Sequence, residues 1–239
     1  MRLNATKTKS ITFSKKKKPL DFLYTITNVP VERTNNIKYL GVTLSSNLCW
    51  EQHIKNICHK AQGKLYFLRR RLRNAPPNVK LNAYKTLVRP TLEYADLIWS
   101  PHQKYLIGKL ERIQNLAVRF IYSNFSRHSS VSNLLHKADL HTLAQRRITS
   151  RLKFLYLLYY GHLNISRETY LQEPFRHSSR NNHEKALHQP ISHINAHKYS
   201  LFPSAIFCWN KLPPAAVNCN SIESFIEHVN RVESLSVPP

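Results

Sequence analysis

The spacing of apolar residues divides the chain into two kinds of sequence. Before position 50, short runs alternate apolar and polar residues, a pattern typical of β-strands. We predict strands at 10–14, 23–27 and 37–44, with Gly41 interrupting the last one as a strand glycine does at a bulge or close approach. After position 50, apolar residues recur every three or four positions, which predicts helices. The stretch 37–50 is therefore predicted to be the change from strand to helix.

Turn residues divide the helical part into separate predicted helices. Pro90 should kink or split the second helix, because proline lacks an amide donor. Ser100 and Pro101 are expected to open the third helix as its N-cap and first helical residue. Gly161 is expected to end a later, long helix. The predicted helices cover residues 50–73, 76–99, 101–121, 131–136, 142–160, 203–212 and 221–232.

The region between the last long helix and the C-terminal helices has a different character. Residues 162–199 contain six of the 13 histidines and show no helical period, so we expect a loop with one irregular hairpin near 185–199. The sequence as a whole predicts a mainly α fold with a small N-terminal β portion (α+β), in which a helical bundle follows two or three strands. We predict a β portion at 1–49, a basic helical domain at 50–161 and a loop-rich extension with short helices at 162–239.

Basic residues greatly outnumber acidic ones. The chain has 36 Lys and Arg against 13 Asp and Glu, a formal net charge of +23 with neutral histidines. Such a charge favours a polyanionic partner, because lysine and arginine release counterions from phosphates when they bind. Nucleic acid is the first candidate and an anionic membrane surface the second, while a ribosome-associated or merely basic protein remains open.

The sequence gives no indication of a membrane span or of secretion. The longest apolar run, 154–160, is too short to cross a bilayer. The N-terminus has no secretory apolar region, although its basic residues also allow a transit peptide. The four cysteines are scattered, as in reduced thiols of an intracellular protein. We expect a protein of the nucleus or cytoplasm that is neither secreted nor bound to a membrane.

Lysines and arginines recur on the polar faces of several predicted helices. They are expected to contact phosphates without reading base sequence. For any one helix, a solvated charged face explains the pattern equally well, but the recurrence in a chain of net charge +23 favours nucleic-acid contact. The candidate residues are Lys55, Lys64, Arg69, Arg70, Arg71, Arg73, Lys104, Lys109, Arg112, Arg119, Arg146, Arg147 and Arg151.

A polymerase active site is not expected within this chain. The run 94–97, Tyr-Ala-Asp-Leu, is similar to the Tyr-x-Asp-Asp motif of reverse transcriptases, but Leu97 stands where the second aspartate should be. Two-metal nucleotidyl transfer needs clustered carboxylates. The only aspartates of the chain are Asp21, Asp96 and Asp139, each isolated, and we expect Asp96 to be an ordinary helix residue.

A metal site is not expected either, and no cofactor is predicted. Cys49, His53, Cys58 and His59 lie close together in the sequence but lack the close Cys-x2–4-Cys pairs of structural zinc sites. Cys58 also falls in the apolar stripe of the first predicted helix. The histidines of 162–199 are spread four or more positions apart, as solvated loop residues are.

Several short motifs occur in a recognisable order along the chain. They are Met1-Arg-Leu-Asn4 with Lys7-Thr-Lys9 and Thr12-Phe-Ser14, Ile37-Lys-Tyr-Leu-Gly-Val42 with Leu48-Cys-Trp50 and His53-Ile54, Leu87-Val-Arg-Pro90, Leu92-Glu-Tyr-Ala95, Trp99-x-Pro101, Leu110-Glu-Arg-Ile-Gln114, Phe202-Pro203 and Trp209-Asn-Lys-Leu-Pro213. As an ordered set covering nearly the whole chain, they resemble the end of the palm, the thumb and the C-terminal extension of non-LTR (LINE-type) retrotransposon reverse transcriptases. Any one of these motifs alone is weak.

This resemblance implies a fragment that binds template–primer duplex but does not polymerise by itself. The fingers, most of the palm with its paired aspartates, and an endonuclease would precede Met1 in such a protein. The expected partners are RNA or an RNA/DNA duplex, and the rest of a reverse transcriptase. The positions that match the family motifs, to which the resemblance gives structural roles, are Tyr39, Leu40, Gly41, Val42, Trp50, Arg89, Pro90, Glu93, Tyr94, Trp99, Trp209, Asn210, Leu212 and Pro213.

Two other interpretations remain open at the level of sequence. The chain can be an independent basic helical adaptor, captured by a host to bind RNA or protein. It can also be a chain that never folds stably, because its N-terminal strands lack a partner sheet.

Overall fold

The structure, a computed structural model, describes residues 4, 7–14, 16, 22–174, 183–232 and 235. The fold is mainly α with a small β portion, which confirms the predicted fold class. The chain forms two compact units, Met1–Ile57 and Cys58–Pro239, so that the boundary falls within the first long helix. Of the lysine run 15–18 only Lys16 lies within the described residues, and residues 1–3 of the first motif lie outside them.

The first unit contains short strands that pair two by two. Of the predicted strand 10–14 only Ser10 is in a strand, and of the predicted strand 23–27 only Thr25 and Ile26 are. The pairs are β1 (Lys9–Ser10) parallel to β4 (Glu32–Arg33), β2 (Thr25–Ile26) antiparallel to β3 (Val29–Pro30), and β5 (Asn36–Tyr39) antiparallel to β6 (Val42–Ser45).

The prediction of one strand over 37–44 is wrong, because the segment is a hairpin. β5 and β6 are joined by Leu40 and Gly41, whose φ values are 43° and 86°. Two successive residues of positive φ make the tight turn whose twist matches paired strands. Gly41 takes this conformation freely, whereas Leu40 is not a usual turn residue. The glycine therefore turns the chain instead of interrupting a strand.

The helices follow from Glu51 onwards and most agree with the predicted periodicity. Ser130, Thr142 and Ser221 act as N-caps, each accepting a hydrogen bond from an amide of the first turn. The helices are α1 (Glu51–Arg71), α2 (Pro77–Ala83), α3 (Arg89–Glu93), α4 (Lys104–Ile121), α5 (Val131–Lys137), α6 (Leu143–Tyr159), α7 (Asn195–Lys198), α8 (Leu201–Trp209), α9 (Pro214–Val217) and α10 (Ile222–Arg231), with a 3₁₀ turn at Arg167–Thr169.

Left-handed residues end two of the long helices in the same way. Gly161, with φ of 72°, follows α6, and the amide of His162 donates to the carbonyl of Leu157 at 2.8 Å, which confirms the predicted stop. Ser123, with φ of 51°, ends α4 with the equivalent bond from Asn124 to the carbonyl of Arg119. Ser123 thereby turns the chain sharply at the end of α4.

The second predicted helix is not broken at Pro90 but contains a wide turn just before it. A π-helical turn, Tyr84–Val88, separates α2 from α3, and the amide of Arg89 donates to the carbonyl of Tyr84. The extra residue in the turn accommodates the missing donor and the ring of the proline. The hydroxyl of Tyr84 fixes this turn to α4 by donating to Oε1 of Gln114 at 2.8 Å.

The helix predicted to reach position 99 ends earlier. α3 stops at Glu93, and Ala95 has a positive φ of 57°, so Asp96 lies in a turn and the prediction of a helix residue is wrong. The next helix begins at Lys104 and not at Pro101, because Gln103 is still extended with ψ of 124°. The segment from Tyr94 to Gln103 is therefore a connection, stabilised by Trp99, which is fully buried.

The core of the second unit surrounds α6. This helix packs against α4, α8 and α10. Tyr156 stacks on Phe225 with ring centroids 4.5 Å apart, and Trp209 lies 5.9 Å from the same ring. Full burial of such rings contributes about 1.5–3 kcal/mol each. No helix within the described ranges is both long and apolar enough to cross a membrane.

The hairpin predicted near 185–199 is wrong. Over the described part, 183–199, the chain forms no strand and ends in the short helix α7. The side chain of Asn210 makes the hydrogen bonds that a partner strand would make. Its Oδ1 accepts from the backbone amide of Leu187 at 2.9 Å, and its Nδ2 donates to the carbonyl of Leu187 at 2.8 Å. The segment is thus attached to the end of α8 and does not fold back on itself.

Candidate nucleic-acid interface

Basic and aromatic side chains line an open groove of about 700 Å³ in the second unit. The end of α1 forms one side, the start of α2 a second, and the end of α4 with the following loop a third. We call it the arginine groove. Its lining residues are Tyr66, Arg69, Arg70, Arg73, Lys80, Phe120, Ser123 and Phe125.

The last turns of α1 bring the arginines into the groove. Leu65 and Leu68 are buried, Arg69 lies half-buried at the edge of this apolar face, Arg70 is exposed, and Arg73 follows just after the helix end. Cations at this end of a helix are stabilised by the helix dipole. The sequence predicted all three at the surface, and Arg70 and Arg73 are exposed while Arg69 is half-buried.

Aromatic rings accompany these charges. The guanidinium of Arg69 lies 5.8 Å from the ring centroid of Tyr66 and 5.3 Å from that of Phe125. Tyr66 is 43% exposed and Phe125 is 56% exposed, so both rings remain accessible in part. Accessible rings beside arginines can stack on bases, while the arginines contact phosphates.

Lys80 is a groove residue that the sequence analysis missed. It is only 3% exposed, its Nζ donates to Oγ of Ser123 at 3.0 Å, and it lies 5.1 Å from the ring centroid of Phe120. The signal was present, because Lys80 precedes the buried residues Tyr84 and Val88 by four and eight positions on one helical face. A lysine on an inward face usually reaches a polar or aromatic partner.

Arg119 does not face the groove but organises the loop beside it. Its Nη1 donates to the carbonyl of Ser126 at 2.7 Å and to Oγ of Ser129 at 3.0 Å. These bonds hold the loop that carries Phe125. Lys64 also has an internal role, since its Nζ donates to the carbonyl of Leu87 at 2.9 Å. Both were predicted phosphate contacts, and their ammonium or guanidinium groups are engaged within the protein.

The arginines of α6 differ most from expectation. Arg147 and Arg151 are 3% and 4% exposed, so the prediction that they face outward is wrong. The reason is that α6 is covered on several sides by α4, α8 and α10, which leaves a narrow outer face. Arg146 is half-buried and binds the carboxylate of Glu93 through Nε and Nη2.

Burial changes the acid–base properties of these side chains. Desolvation lowers the pKa of Arg147 below its usual range, although Glu111 and Asp96 oppose the change. Desolvation lowers the pKa of Arg151 to about 10. The guanidinium of Arg147 lies 5.3 Å from the ring centroid of Trp99, a contact that partly replaces water around the charge.

The remaining predicted contacts lie at the surface. Lys55 is exposed in the first unit, and Arg71 lies 5.9 Å from the ring centroid of Phe67 on α1. Lys104, Lys109 and Arg112 are exposed along α4, but none of them lines the arginine groove. They form a basic face without the concave shape of the groove.

The residues that match the family motifs mostly support the fold. Trp99 donates through Nε1 to the carbonyl of Tyr94 at 2.8 Å, and Trp209 to that of Lys185 at 2.8 Å. Other positions close turns or begin helices: Gly41 in the hairpin, Pro90 in α3, and Pro213 as the N-cap of α9. Val42 and Leu212 are buried, Trp50 is half-buried, and Arg89 lies 3.7 Å from Glu93. Tyr39 and Leu40 are exposed at the hairpin tip.

The described part of the chain contains no group of three His, Cys, Asp or Glu side chains placed to hold a metal ion. Nδ1 of His53 accepts a hydrogen bond from the amide of Thr43 at 3.1 Å. Burial lowers the pKa of His53 to about 4. Asp96 is buried, and desolvation raises its pKa despite the nearby Ser150 and Arg147.

Comparison with curated proteins finds relatives among transposon polymerases. The chain is 30% identical over 122 residues to the probable RNA-directed DNA polymerase from transposon X-element of Drosophila melanogaster, an alignment that covers 50% of this chain and 13% of that protein. It is 25% identical over 165 residues to the probable RNA-directed DNA polymerase from transposon BS of the same species, which covers 68% of this chain and 18% of that protein.

The aligned region spans less than a fifth of the length of each of these relatives. No protein-family model matches the chain. The similarities support a relation between this chain and the reverse transcriptases of retrotransposons.

Proposed function

We propose that this chain is a reverse-transcriptase fragment that binds nucleic acid through the arginine groove and does not catalyse polymerisation by itself. In this proposal it comprises the end of the palm, the thumb and a C-terminal extension. Its ligand is the backbone of RNA or of an RNA/DNA duplex. The similarity to the two transposon polymerases supports the family, and the order of the sequence motifs supports the region.

The observation that carries the binding role is the composition of the groove. Arg69, Arg70 and Arg73 bring three guanidinium groups to one concave surface, and Tyr66 and Phe125 lie among them. Guanidinium groups match phosphate oxygens with two parallel hydrogen bonds, and the rings offer flat surfaces to exposed bases. The groove reads no base edges in this proposal, so binding is independent of sequence.

The carboxylates support the absence of polymerase chemistry. Polymerases hold two metal ions with clustered acidic side chains. Asp96 is instead buried between α3 and α4 near Arg147 and Arg151, and Asp139 lies elsewhere, after α5. Catalysis in the parent family would then come from aspartates that this sequence does not contain.

The binding role is tested by the salt dependence of affinity. The affinity of the chain for a labelled RNA/DNA duplex should be measured by fluorescence anisotropy over a series of salt concentrations. If the groove neutralises several phosphates, log K falls linearly with log salt, by about 0.9 for each phosphate contact on duplex. Affinity that stays constant from low to high salt would contradict the proposal. Duplexes of unrelated sequence should give the same affinity.

A charge reversal tests the location of the contact. Changing Arg69, Arg70 and Arg73, the three groove arginines, to Glu together should weaken binding to all duplex sequences about equally. A loss confined to one sequence would argue against backbone contact.

The catalytic part is tested separately by primer extension. The isolated chain should extend no primer on an RNA template with Mg²⁺ or Mn²⁺, at protein concentrations that saturate duplex binding. Extension that depends on the metal and disappears on Asp96→Asn would contradict the non-catalytic assignment.

A further inference from the structure

A second, smaller pocket lies beside the start of α6. It has a volume of about 290 Å³ and lies entirely within the second unit. Gln145, Arg147 and Arg151 contribute polar groups on α6. Pro101, Ile107 and Ile148 contribute an apolar wall. We call it the α6 pocket; it shares no lining residue with the arginine groove.

One donor of this pocket is used within the protein, because Nη1 of Arg151 donates to the carbonyl of Tyr199 at 3.3 Å, but several others are not. Nε and Nη2 of Arg147, Nε of Arg151 and Nε2 of Gln145 find no hydrogen-bond partner in the part of the chain that the structure describes. Both arginines are more than nine-tenths buried. A buried donor without an acceptor destabilises the folded state, and more so when the group is charged. Native proteins rarely leave several such donors together, so a ligand that accepts hydrogen bonds explains them better than packing does.

The charges around the pocket favour an anion with two negative charges. Arg147 and Arg151 are four positions apart on α6, where like charges repel, and the charge of Arg147 lowers the pKa of Arg151. None of the ion pairs found among the described residues involves either arginine. The carboxylate of Glu111 accepts from the amide of Ala144 at 2.8 Å, and Asp96 is hydrogen-bonded to Ser150. Glu111, Asp96 and Glu93 raise the pKa of Arg147, but the loss of hydration on burial outweighs them.

The shape of the pocket narrows the ligand class further. Planar guanidinium forks match the oxygens of phosphate or carboxylate. A pair of buried cations favours a dianionic phosphate over a single carboxylate. The apolar wall and the volume of about 290 Å³ leave room for an organic group beside the phosphate. We propose that the α6 pocket binds a phosphomonoester, with the phosphate at Arg147 and Arg151 and the organic group against Ile107 and Ile148.

The probe for this proposal is uridine 5′-monophosphate, titrated into the full chain by calorimetry at constant ionic strength. We expect saturable binding of one molecule per chain. Inorganic phosphate should bind more weakly, because it lacks the organic group, and uridine should not bind. Equal binding of inorganic phosphate would show that a free ion is the ligand and would overturn the assignment of a phosphomonoester. Binding of uridine as tight as that of its monophosphate would overturn the whole proposal.

Variants locate the binding. Arg151→Gln should weaken the affinity for uridine 5′-monophosphate at least about tenfold, since one charged donor pair is lost. The affinity of Arg151→Lys should lie between those of the unchanged protein and of Arg151→Gln, because lysine keeps the charge but loses the planar fork. Arg70→Gln, a change in the arginine groove, is the matched control and should leave this affinity unchanged. If Arg70→Gln weakens binding as much as Arg151→Gln, the ligand lies in the groove and the proposal is wrong.

Ile107→Glu covers the case in which a change at Arg151 unfolds the protein. Ile107 is half-buried on α4, and a carboxylate there should occupy the arginines and abolish binding without removing either of them. Retained binding in Ile107→Glu would overturn the proposal. The arginine groove is independent of these changes, so a failure of nucleotide binding with normal duplex binding, or the reverse, identifies which of the two proposals fails.

Discussion

The arginines at the end of α1 and those of α6 occur in similar amphipathic helix patterns but lie in opposite environments. Arg69, Arg70 and Arg73 lie along an open groove, where their charges remain in contact with solvent. Arg147 and Arg151 are buried in the centre of the second unit. A run of arginines on a helix therefore indicates a binding surface only when the rest of the fold leaves that face uncovered.

This difference gives the two sets of arginines different energetic roles. An exposed arginine contributes little to folding and is available to a partner. A buried arginine has lost its hydration, so its packing and its partners affect the stability of the whole unit. The comparison is weakened if groove variants destabilise the protein, or if α6 variants abolish duplex binding without affecting folding.

The largest effect is expected for Arg147→Ala. Removing the side chain deletes its contact with Trp99, leaves a cavity and removes a positive charge near Asp96 and Glu111. We expect the free energy of unfolding to fall by about 2–3 kcal/mol, measured by chemical denaturation. Arg147→Met keeps most of the volume and should recover part of this loss. A free energy of unfolding equal to that of the unchanged protein would show that Arg147 behaves like a surface residue.

Lys80 combines both roles and should show both effects. Lys80→Ala removes the bond to Ser123 and the contact with Phe120, so we expect a loss of about 1–2 kcal/mol in the free energy of unfolding. The same change should weaken duplex binding, because Lys80 lines the groove. Lys80→Met, which keeps the apolar stem, serves as the control and should regain stability but not affinity. If both variants bind duplex normally, Lys80 has a structural role only.

A smaller effect is expected for the pair Arg146 and Glu93. A double-mutant cycle with Arg146→Ala and Glu93→Ala should give a coupling of about 1 kcal/mol, kept small because the arginine side chain is 34% exposed. The coupling should decrease at high salt. Duplex binding should not change. A loss of affinity in Arg146→Ala would show that α6 is part of the nucleic-acid interface.

The smallest effect on folding is expected for Arg70→Gln. An exposed residue at the end of a helix should change the free energy of unfolding by no more than about 0.5 kcal/mol. Its effect should appear in binding, where the slope of log K against log salt should become shallower by about one phosphate contact. Thermal denaturation and the anisotropy titration give the two numbers. A destabilised variant with an unchanged slope would show that Arg70 supports the fold and does not contact phosphate.

The sequence predicted those features that depend on a few neighbouring residues. The predicted helices 142–160 and 221–232 differ from α6 and α10 by one residue at each end, and Gly161 ends α6 because a glycine after an amphipathic run is a local signal. The exposed position of Arg70 followed from its helical neighbours. The mainly α fold class followed from the apolar period.

The remaining features depend on the whole fold. The turn at Leu40 and the left-handed Ala95 place residues without turn preference at positive φ, which local propensity does not reveal. The burial of Arg147 depends on helices that cover α6 from distant parts of the chain. Lys80 had a partial signal in its spacing from Tyr84, but the groove that gives it a role exists only after α1, α2 and α4 have packed.

The most direct test of the central proposal compares two sets of three substitutions with the same loss of charge. Arg69, Arg70 and Arg73 are changed to Gln in the groove, and Lys104, Lys109 and Arg112 are changed to Gln on the exposed face of α4. The measurement is the slope of log K against log salt for one RNA/DNA duplex, with the unfolding midpoint of each variant determined in parallel. We expect the groove set to make the slope shallower by about 2–3, the equivalent of three phosphate contacts, and the α4 set by less than about 1. Equal changes in both sets would show that total charge, and not the arginine groove, determines binding.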